Sequence, residues 1–115
     1  MSDVRLPSSV EASAILRRTS ANGDFAAIIR RGDADRGALT IVVASRGRHA
    51  ACLQRTLDWS SGAYLWASVG PTADSGPDEI RDFLIQQARF DPDLWQIEVD
   101  VADPERFIAE TSASG

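Results

Sequence analysis

Residues 38–45 read ALTIVVAS, a run rich in side chains that are branched at Cβ. Such side chains pack well on a pleated surface, so the run predicts a β-strand. It stops at Arg46-Gly47, a pair typical of a tight turn. Three further runs of strand character lie on either side of it: FAAIIR (25–30), HAACLQRTL (49–57) and AYLWASV (63–69).

Short polar spacers separate these four runs. Parallel neighbours need a crossover of about a dozen residues or more, whereas antiparallel neighbours need only a tight turn. We therefore predict that the four strands run antiparallel, as a meander in chain order. A fifth strand over 94–101 alternates between apolar side chains at Trp95, Ile97 and Val99 and polar side chains between them.

Two helices flank the block of four strands. The first begins at Ser8, because Ser8 and Glu11 have the spacing of a capping box, and it ends near Gly23, which suits a left-handed terminus. The second covers 77–89, where Pro77 suits the first turn and apolar residues recur along one face.

The end of the chain admits two interpretations, because residues 103–110 fit either a short last helix or an edge strand. The elements otherwise follow the order α-β-β-β-β-α-β. This order predicts an α+β fold, with a mainly antiparallel five-stranded sheet and its helices on one face. The 115 residues suit one domain, 1–115, with flexible ends at 1–7 and 111–115.

The composition is that of a globular protein, with 43% hydrophobic and 25% charged residues. A net charge of −5 argues against a general nucleic-acid coat, which needs a positive surface. All 12 basic residues are arginine, which excludes a lysine Schiff base and a P-loop lysine. Cys52 is the single cysteine, which excludes an intramolecular disulfide and a thiolate zinc site within one chain.

The location that the sequence favours is the cytoplasm. The first residues, MSDVRLPSS, lack the apolar core of a secretory signal. No apolar run approaches the ~20 residues that a membrane-spanning helix needs. We expect no membrane association and no nucleic-acid partner.

The stretch RRGDADRG (30–37) raises the question of whether it forms a site or a turn. We predict a turn between two strands, in which Gly32 and Gly37 supply positive φ while Asp33 and Asp35 accept local backbone N–H groups. The spacing of an EF-hand loop fails here. A metal- or carboxylate-dependent hydrolase that uses Asp33 and Asp35 is the enzymatic alternative.

Clustered arginines give a second alternative, which is contact with phosphate or nucleic acid. Arginine binds phosphate in a bidentate manner, and the candidates are Arg17, Arg18, Arg30, Arg31 and Arg36. The acidic balance of the chain argues against this function. A turn at Gly23 need not bring the end of the first helix near Arg30.

The catalytic candidates are weak, and we predict no catalytic residue, metal ligand or cofactor. His49 and Cys52 resemble a base and a nucleophile, but residues three apart on a strand point to opposite faces. Glu98 and Asp100 share one face of the fifth strand, and we interpret this face as the one exposed to solvent.

Aromatic side chains carry the preferred interpretation. If Leu65 faces the helices, then Tyr64 and Trp66 lie on the open face of the sheet and mark a contact surface. The opposite register would bury them. We predict a non-catalytic interaction or accessory module that contacts a protein partner or a second copy, with a rim formed by Arg30, Arg31 and Arg36.

Two segments also resemble a known family. FAAIIRRGDADRGA (25–38) and DPDLWQIEVD (91–100) resemble the small bacterial proteins described as domain of unknown function 1491. The likeness extends from the first helix to the last strand. It implies a single cytoplasmic α+β domain, and it brings no established activity, cofactor or catalytic residue.

Overall fold

The helices and strands follow the predicted order closely in the computed structural model, which describes residues 6–113. Residues 104–113 form a helix, so the last element is helical and includes part of the predicted tail. The other predicted end residues, 1–5 and 114–115, lie outside the described residues. The elements are α1 (Ser8–Ala21), β1 (Phe25–Arg30), β2 (Leu39–Ser45), β3 (Arg48–Leu57), β4 (Tyr64–Val69), α2 (Pro77–Phe90), β5 (Trp95–Asp100) and α3 (Pro104–Ala113).

The five strands form one mixed sheet in the order β1-β5-β2-β3-β4. β5 lies between β1 and β2, antiparallel to β1 and parallel to β2. The predicted meander is therefore right for β2, β3 and β4 and wrong for β1. Residues 31–38 cross the start of β5, a span of about 10 Å for two strand spacings, which eight residues cover easily. The β4-α2-β5 segment supplies the crossover that parallel pairing requires.

One face of the sheet, here called the core face, carries Ile41, Leu53 and Ile97. All three are essentially inaccessible to solvent and belong to the main hydrophobic cluster. Ala12 of α1 is buried in the same cluster, and Phe107 of α3 packs against it. Alternation along the strands thus places α1 and α3 on the core face.

The opposite face, here called the polar face, carries Thr40, Gln54 and Gln96 at paired positions. α2 lies on this side. Its Gln87 accepts a hydrogen bond from Thr40 Oγ1 at 3.1 Å and donates one to Gln54 Oε1 at 3.3 Å. Gln96 donates to the Leu84 carbonyl at 2.9 Å, and no residue of α2 is buried. The prediction that the helices lie on one face is wrong. α2 lies on the polar face, where polar side chains of the strands form hydrogen bonds with it.

The first turn of α1 differs from the predicted capping box. Ser8 is 1% exposed, and its hydroxyl donates to the Gly37 carbonyl at 2.6 Å instead of capping the helix. The N–H of Ser9 donates to the Ala34 carbonyl at 2.9 Å. Long-range acceptors thus satisfy groups that a local cap would otherwise serve. The predicted left-handed end is confirmed, since Gly23 has φ of +82°.

The helices are all short relative to a bilayer. Among residues 6–113, none is both long enough and apolar enough to cross one.

Candidate functional site

The 30–37 stretch forms a turn, as predicted, and the Asp33 carboxylate organises it. Asp33 Oδ2 accepts the backbone N–H of Asp35 at 3.1 Å and that of Arg36 at 2.8 Å. The Asp33 carbonyl oxygen accepts the Trp95 indole N–H at 2.7 Å. Aspartate at the start of a turn commonly makes such local bonds. This segment therefore ties the turn to the first residue of β5.

The two glycines of the turn serve a different purpose from the one predicted. Neither Gly32 nor Gly37 has positive φ. A Cβ at Gly32 would lie 2.0 Å from the Asp93 carbonyl oxygen, and a Cβ at Gly37 would lie 2.2 Å from the same atom. The expectation of positive φ is wrong. Glycine is needed because two backbone segments approach closely.

The Arg30 guanidinium is occupied by structural hydrogen bonds. Its Nη1 donates to the carbonyl oxygens of Pro92 and Leu94, both at 3.0 Å. The Arg31 guanidinium lies 5.7 Å from the centre of the Trp95 ring. Arg31 and Arg36 are both exposed. Of the predicted rim, Arg30 thus holds the β1–β2 connection in place, while Arg31 and Arg36 lie exposed beside it.

The five arginines do not form one stripe. The 30–37 turn contacts the start of α1, where Ser8 N donates to the Asp35 carbonyl. Arg17 lies nine residues further along the same helix, about 14 Å away at 1.5 Å per residue. The geometry therefore gives no support to a continuous phosphate-binding surface.

The acids of the turn belong to no potential metal-binding group among residues 6–113. Asp33 uses one carboxylate oxygen for two backbone N–H groups. In the part of the chain that the structure describes, no group of three or more His, Cys, Asp and Glu side chains is placed to hold a metal ion. The hydrolase alternative gains no observation in its favour.

His49 and Cys52 lie on the same face, contrary to the prediction. The strand pairing shifts at a β-bulge, so His49 pairs with Ala44 whereas Cys52 pairs with Val42. The extra residue restores the same orientation. Burial raises the pKa of the Cys52 thiol to about 11, so the thiolate is scarce at neutral pH. Cys52 is therefore a poor nucleophile despite its neighbour.

We expect Cys52 to react very slowly with a thiol reagent such as DTNB at pH 8, because the side chain is fully buried and its pKa is raised. The same thiol should react within seconds in 6 M guanidinium chloride. Absorbance at 412 nm measures both rates. Fast, complete labelling of the folded protein would contradict this expectation.

One acid of the β5 pair, Asp100, has a structural role. The Asp100 carboxylate accepts the backbone N–H of Arg46 at 2.8 Å and of Gly47 at 2.9 Å. Arg46 has φ of +54°, so these bonds hold a strained turn between β2 and β3. Asp100 is thus committed to the turn, which leaves Glu98 without a partner acid for catalysis.

The predicted aromatic face divides into a buried and an exposed residue. Trp66 is 6% exposed and lies in the core cluster, whereas Tyr64 is 61% exposed. Trp66 pairs with Arg55, which shares the core face with Leu53. The prediction that Trp66 is exposed is wrong because the register of β4 is the reverse of the one favoured.

Three exposed large apolar side chains lie along the β3–β4 hairpin, on either side of the strand edge, and are here called the hairpin surface. Trp59 is 88% exposed, Tyr64 61% and Leu65 39%. Trp59 lies in the turn of the hairpin, and Tyr64 and Leu65 begin β4. Trp59 was not among the predicted contact residues. The missed signal was a tryptophan within a stretch of polar turn residues.

The turn that presents Trp59 is well organised. The Asp58 carboxylate accepts the Ser61 hydroxyl at 2.7 Å and the Ser60 hydroxyl at 2.9 Å. These bonds lower the pKa of Asp58 below its ordinary value. Gly62 has φ of +74° and donates its N–H to the Asp58 carbonyl at 2.8 Å. The loop therefore holds an exposed indole on a fixed backbone.

Sequence reasoning missed a second feature, here called the arginine groove, which lies between α1, α3 and the core face. The Arg55 guanidinium lies 4.6 Å from the centre of the Trp66 ring. Arg55 also makes a bidentate ion pair with Glu11, with Nη1 to Oε1 at 3.0 Å and Nη2 bonded to Oε2. Their side chains are 24% and 15% exposed.

Two cavities open along the arginine groove. The first is about 150 Å³ and is lined by Ile15, Arg18, Ile41, Arg55 and Trp66 together with Glu11 and Thr111. The second is about 210 Å³ and shares Arg18 and Thr111 with the first. Asp24 and Glu110 line only the second cavity.

These features define the class of protein: a small α+β domain with a mixed five-stranded sheet. The chain belongs to the family described as protein of unknown function (DUF1491), whose model matches residues 6–109. No curated protein matches the chain.

Several solved structures have a similar fold. A DUF1491 family protein from Caulobacter crescentus CB15 has a crystal structure with a TM-score of 0.76 and 24% identity, covering 87% of this chain and 92% of that one. An NMR structure of a DUF1491 family protein from the same organism gives a TM-score of 0.73 at 24% identity, with 88% and 90% covered. Protein Atu0922 from A. tumefaciens is 25% identical, with a TM-score of 0.70 and 87% and 89% covered.

Proposed function

We propose that the protein is a non-catalytic, single-domain interaction module of the cytoplasm that associates with a second copy of itself. The contact consists of the edge of β4 and the hairpin surface. The observation that carries this proposal is the exposure of Trp59, Tyr64 and Leu65 beside an edge strand. Exposed aromatic side chains on an ordered scaffold are typical of protein contacts.

The edge of β4 supports the proposal because it lacks the usual protection. β4 is the last strand of the sheet, and its residues Tyr64–Val69 include no charged side chain and no proline. Natural proteins commonly protect edge strands with charge, proline or a bulge. An unprotected edge offers backbone N–H and C=O groups to another strand.

A second copy is the occupant that the charge distribution favours. Two β4 strands related by a two-fold axis pair in antiparallel fashion, and an uncharged strand places no like charges opposite each other. The net charge of −5 then stays away from the contact. Tyr64 and Leu65 lie on opposite faces of β4, so apolar side chains flank the joined strands on both sides.

Sedimentation equilibrium tests this proposal. A stable interface needs roughly 800 Å² per partner, more than a six-residue strand supplies, so we expect weak association with a Kd on the order of 0.1 mM. The apparent mass should rise above the 12.4 kDa of the monomer between 10 µM and 1 mM. Leu65→Lys should abolish the rise because it places like charges at the paired edge.

The matched control is Ile85→Lys, which places the same charge at an exposed aliphatic residue, 42% exposed, on α2. It should associate as the wild type does. A wild-type mass that stays at the monomer value up to 1 mM would contradict the proposal. Equal loss of association in both variants would show a general charge effect and would also contradict it.

A further inference from the structure

We infer that the arginine groove binds a small monocarboxylate that carries an apolar body. This site is separate from the hairpin surface and does not depend on the proposed function. The inference combines fixed hydrogen-bond donors, a local excess of positive charge and an apolar floor within one cavity.

The Arg55 guanidinium is a fixed donor at the cavity. Trp66 holds its planar face and Glu11 holds its edge, so little side-chain entropy remains to be lost on binding. Arginine has five N–H donors, and the pair with Glu11 uses two of them. The remaining donors have no protein acceptor among residues 6–113, and the side chain is 24% exposed.

The charge at the cavity favours an anion. Arg18 and Arg55 both line it, whereas Glu11 is its one lining acid among the described residues. Arg18 makes no ion pair within the described part of the chain. Within this cavity's lining one unit of positive charge thus remains for a ligand, while Asp24 and Glu110 line only the adjoining cavity. A carboxylate fits the planar donors of a guanidinium.

The apolar floor and the neighbouring cavity limit the size, polarity and charge of the rest of the ligand. Ile15 is 4% exposed and Ile41 is 1% exposed, so together with Trp66 they offer a largely apolar base. Small-molecule sites usually enclose about 300–1,000 Å³, so a cavity of about 150 Å³ admits only a small body. Asp24 and Glu110 line the adjoining cavity and disfavour a second carboxylate.

NMR titration with benzoate, and with benzamide as the uncharged control, tests the inference. In ¹H–¹⁵N spectra, benzoate should shift the Arg55 side-chain N–H, the Trp66 indole N–H and the Ile15 amide, with saturation in the millimolar range. Benzamide should bind at least about tenfold more weakly, since one charged hydrogen bond contributes about 1.5–3 kcal/mol.

Variants at two consecutive exposed residues of α1 provide the matched comparison. Arg18→Gln should weaken benzoate binding by about tenfold, because it removes a charged donor at the cavity. Arg17→Gln removes the same charge from a neighbouring exposed residue outside the cavity lining, and it should leave binding unchanged. Both changes lie on the surface, so folding should persist.

Three results would overturn the inference. They are the absence of shifts at 20 mM benzoate, equal binding of benzamide, and equal weakening by Arg17→Gln and Arg18→Gln. The last would indicate attraction by overall charge instead of a built site. None of these results bears on self-association through β4, which sedimentation measures independently.

Discussion

Gly32→Ser is expected to lower the free energy of unfolding by about 3 kcal/mol, the upper part of the range for overpacked sites. A Cβ at this position would lie 2.0 Å from the Asp93 carbonyl oxygen and 2.7 Å from the Leu94 carbonyl carbon. Both are backbone atoms of the segment just before β5. They cannot move away without lengthening the bond from Asp33 N to the Asp93 carbonyl, now 3.0 Å. Urea unfolding followed by circular dichroism measures the change.

Gly76→Ser is the matched control for this substitution. Nothing lies within 4 Å of a Cβ built at Gly76, and its φ is negative. The residue is the N-cap of α2, where serine is favoured over glycine, so the variant should be as stable as the wild type or slightly more so. A Gly32→Ser variant within 0.5 kcal/mol of the wild type would show that the close approach is relaxed at little cost.

The sequence allowed the elements to be predicted because their signals are local. β-branched runs, turn pairs and the periodicity of the second helix each lie within about ten neighbouring residues. Strand order is different, since the place of β5 between β1 and β2 depends on contacts such as Arg30 with Leu94, 64 residues apart. Short spacers favour pairing of successive strands, but a connection of eight residues also permits a strand to insert.

Register explains why one aromatic residue was misplaced. Alternation fixes that Tyr64 and Leu65 point to opposite faces, but it does not say which face meets α1 and α3. The observed register buries Trp66, because its large ring gains more free energy from burial in the core than Leu65 would. The prediction also assumed that one face of the sheet is open, whereas helices lie on both faces.

The arginine groove could not have been read from local patterns. Glu11 and Arg55 are 44 residues apart, and neither has a neighbour that marks it as half of an ion pair. The spacing of Ser8 and Glu11 supported a capping box, yet both side chains bond to distant residues instead. A local cap contributes about 1 kcal/mol. It competes here with a part-buried bidentate pair, whose charge-assisted hydrogen bonds are roughly twice as strong as neutral ones.

Trp66→Ala is expected to cost about 3–5 kcal/mol, the usual effect of truncating a buried tryptophan to alanine. The side chain is 6% exposed and packs in the main core cluster. The change also removes the ring over which Arg55 lies at 4.6 Å, so the guanidinium loses its support. Urea unfolding should show a much lower midpoint, and the cost is a large fraction of the stability of a domain of this size.

Tyr64→Ala is the control on the same strand, two residues away. Tyr64 is 61% exposed, so its truncation should change the free energy of unfolding by no more than about 0.5 kcal/mol. The same variant should weaken self-association, because the proposed contact includes this ring. Equal destabilisation by the two variants would contradict the difference in burial between Trp66 and Tyr64. A Trp66→Ala variant as stable as the wild type would likewise show that the ring lies on the surface. Weaker self-association of that variant would then report a lost contact and not a folding defect.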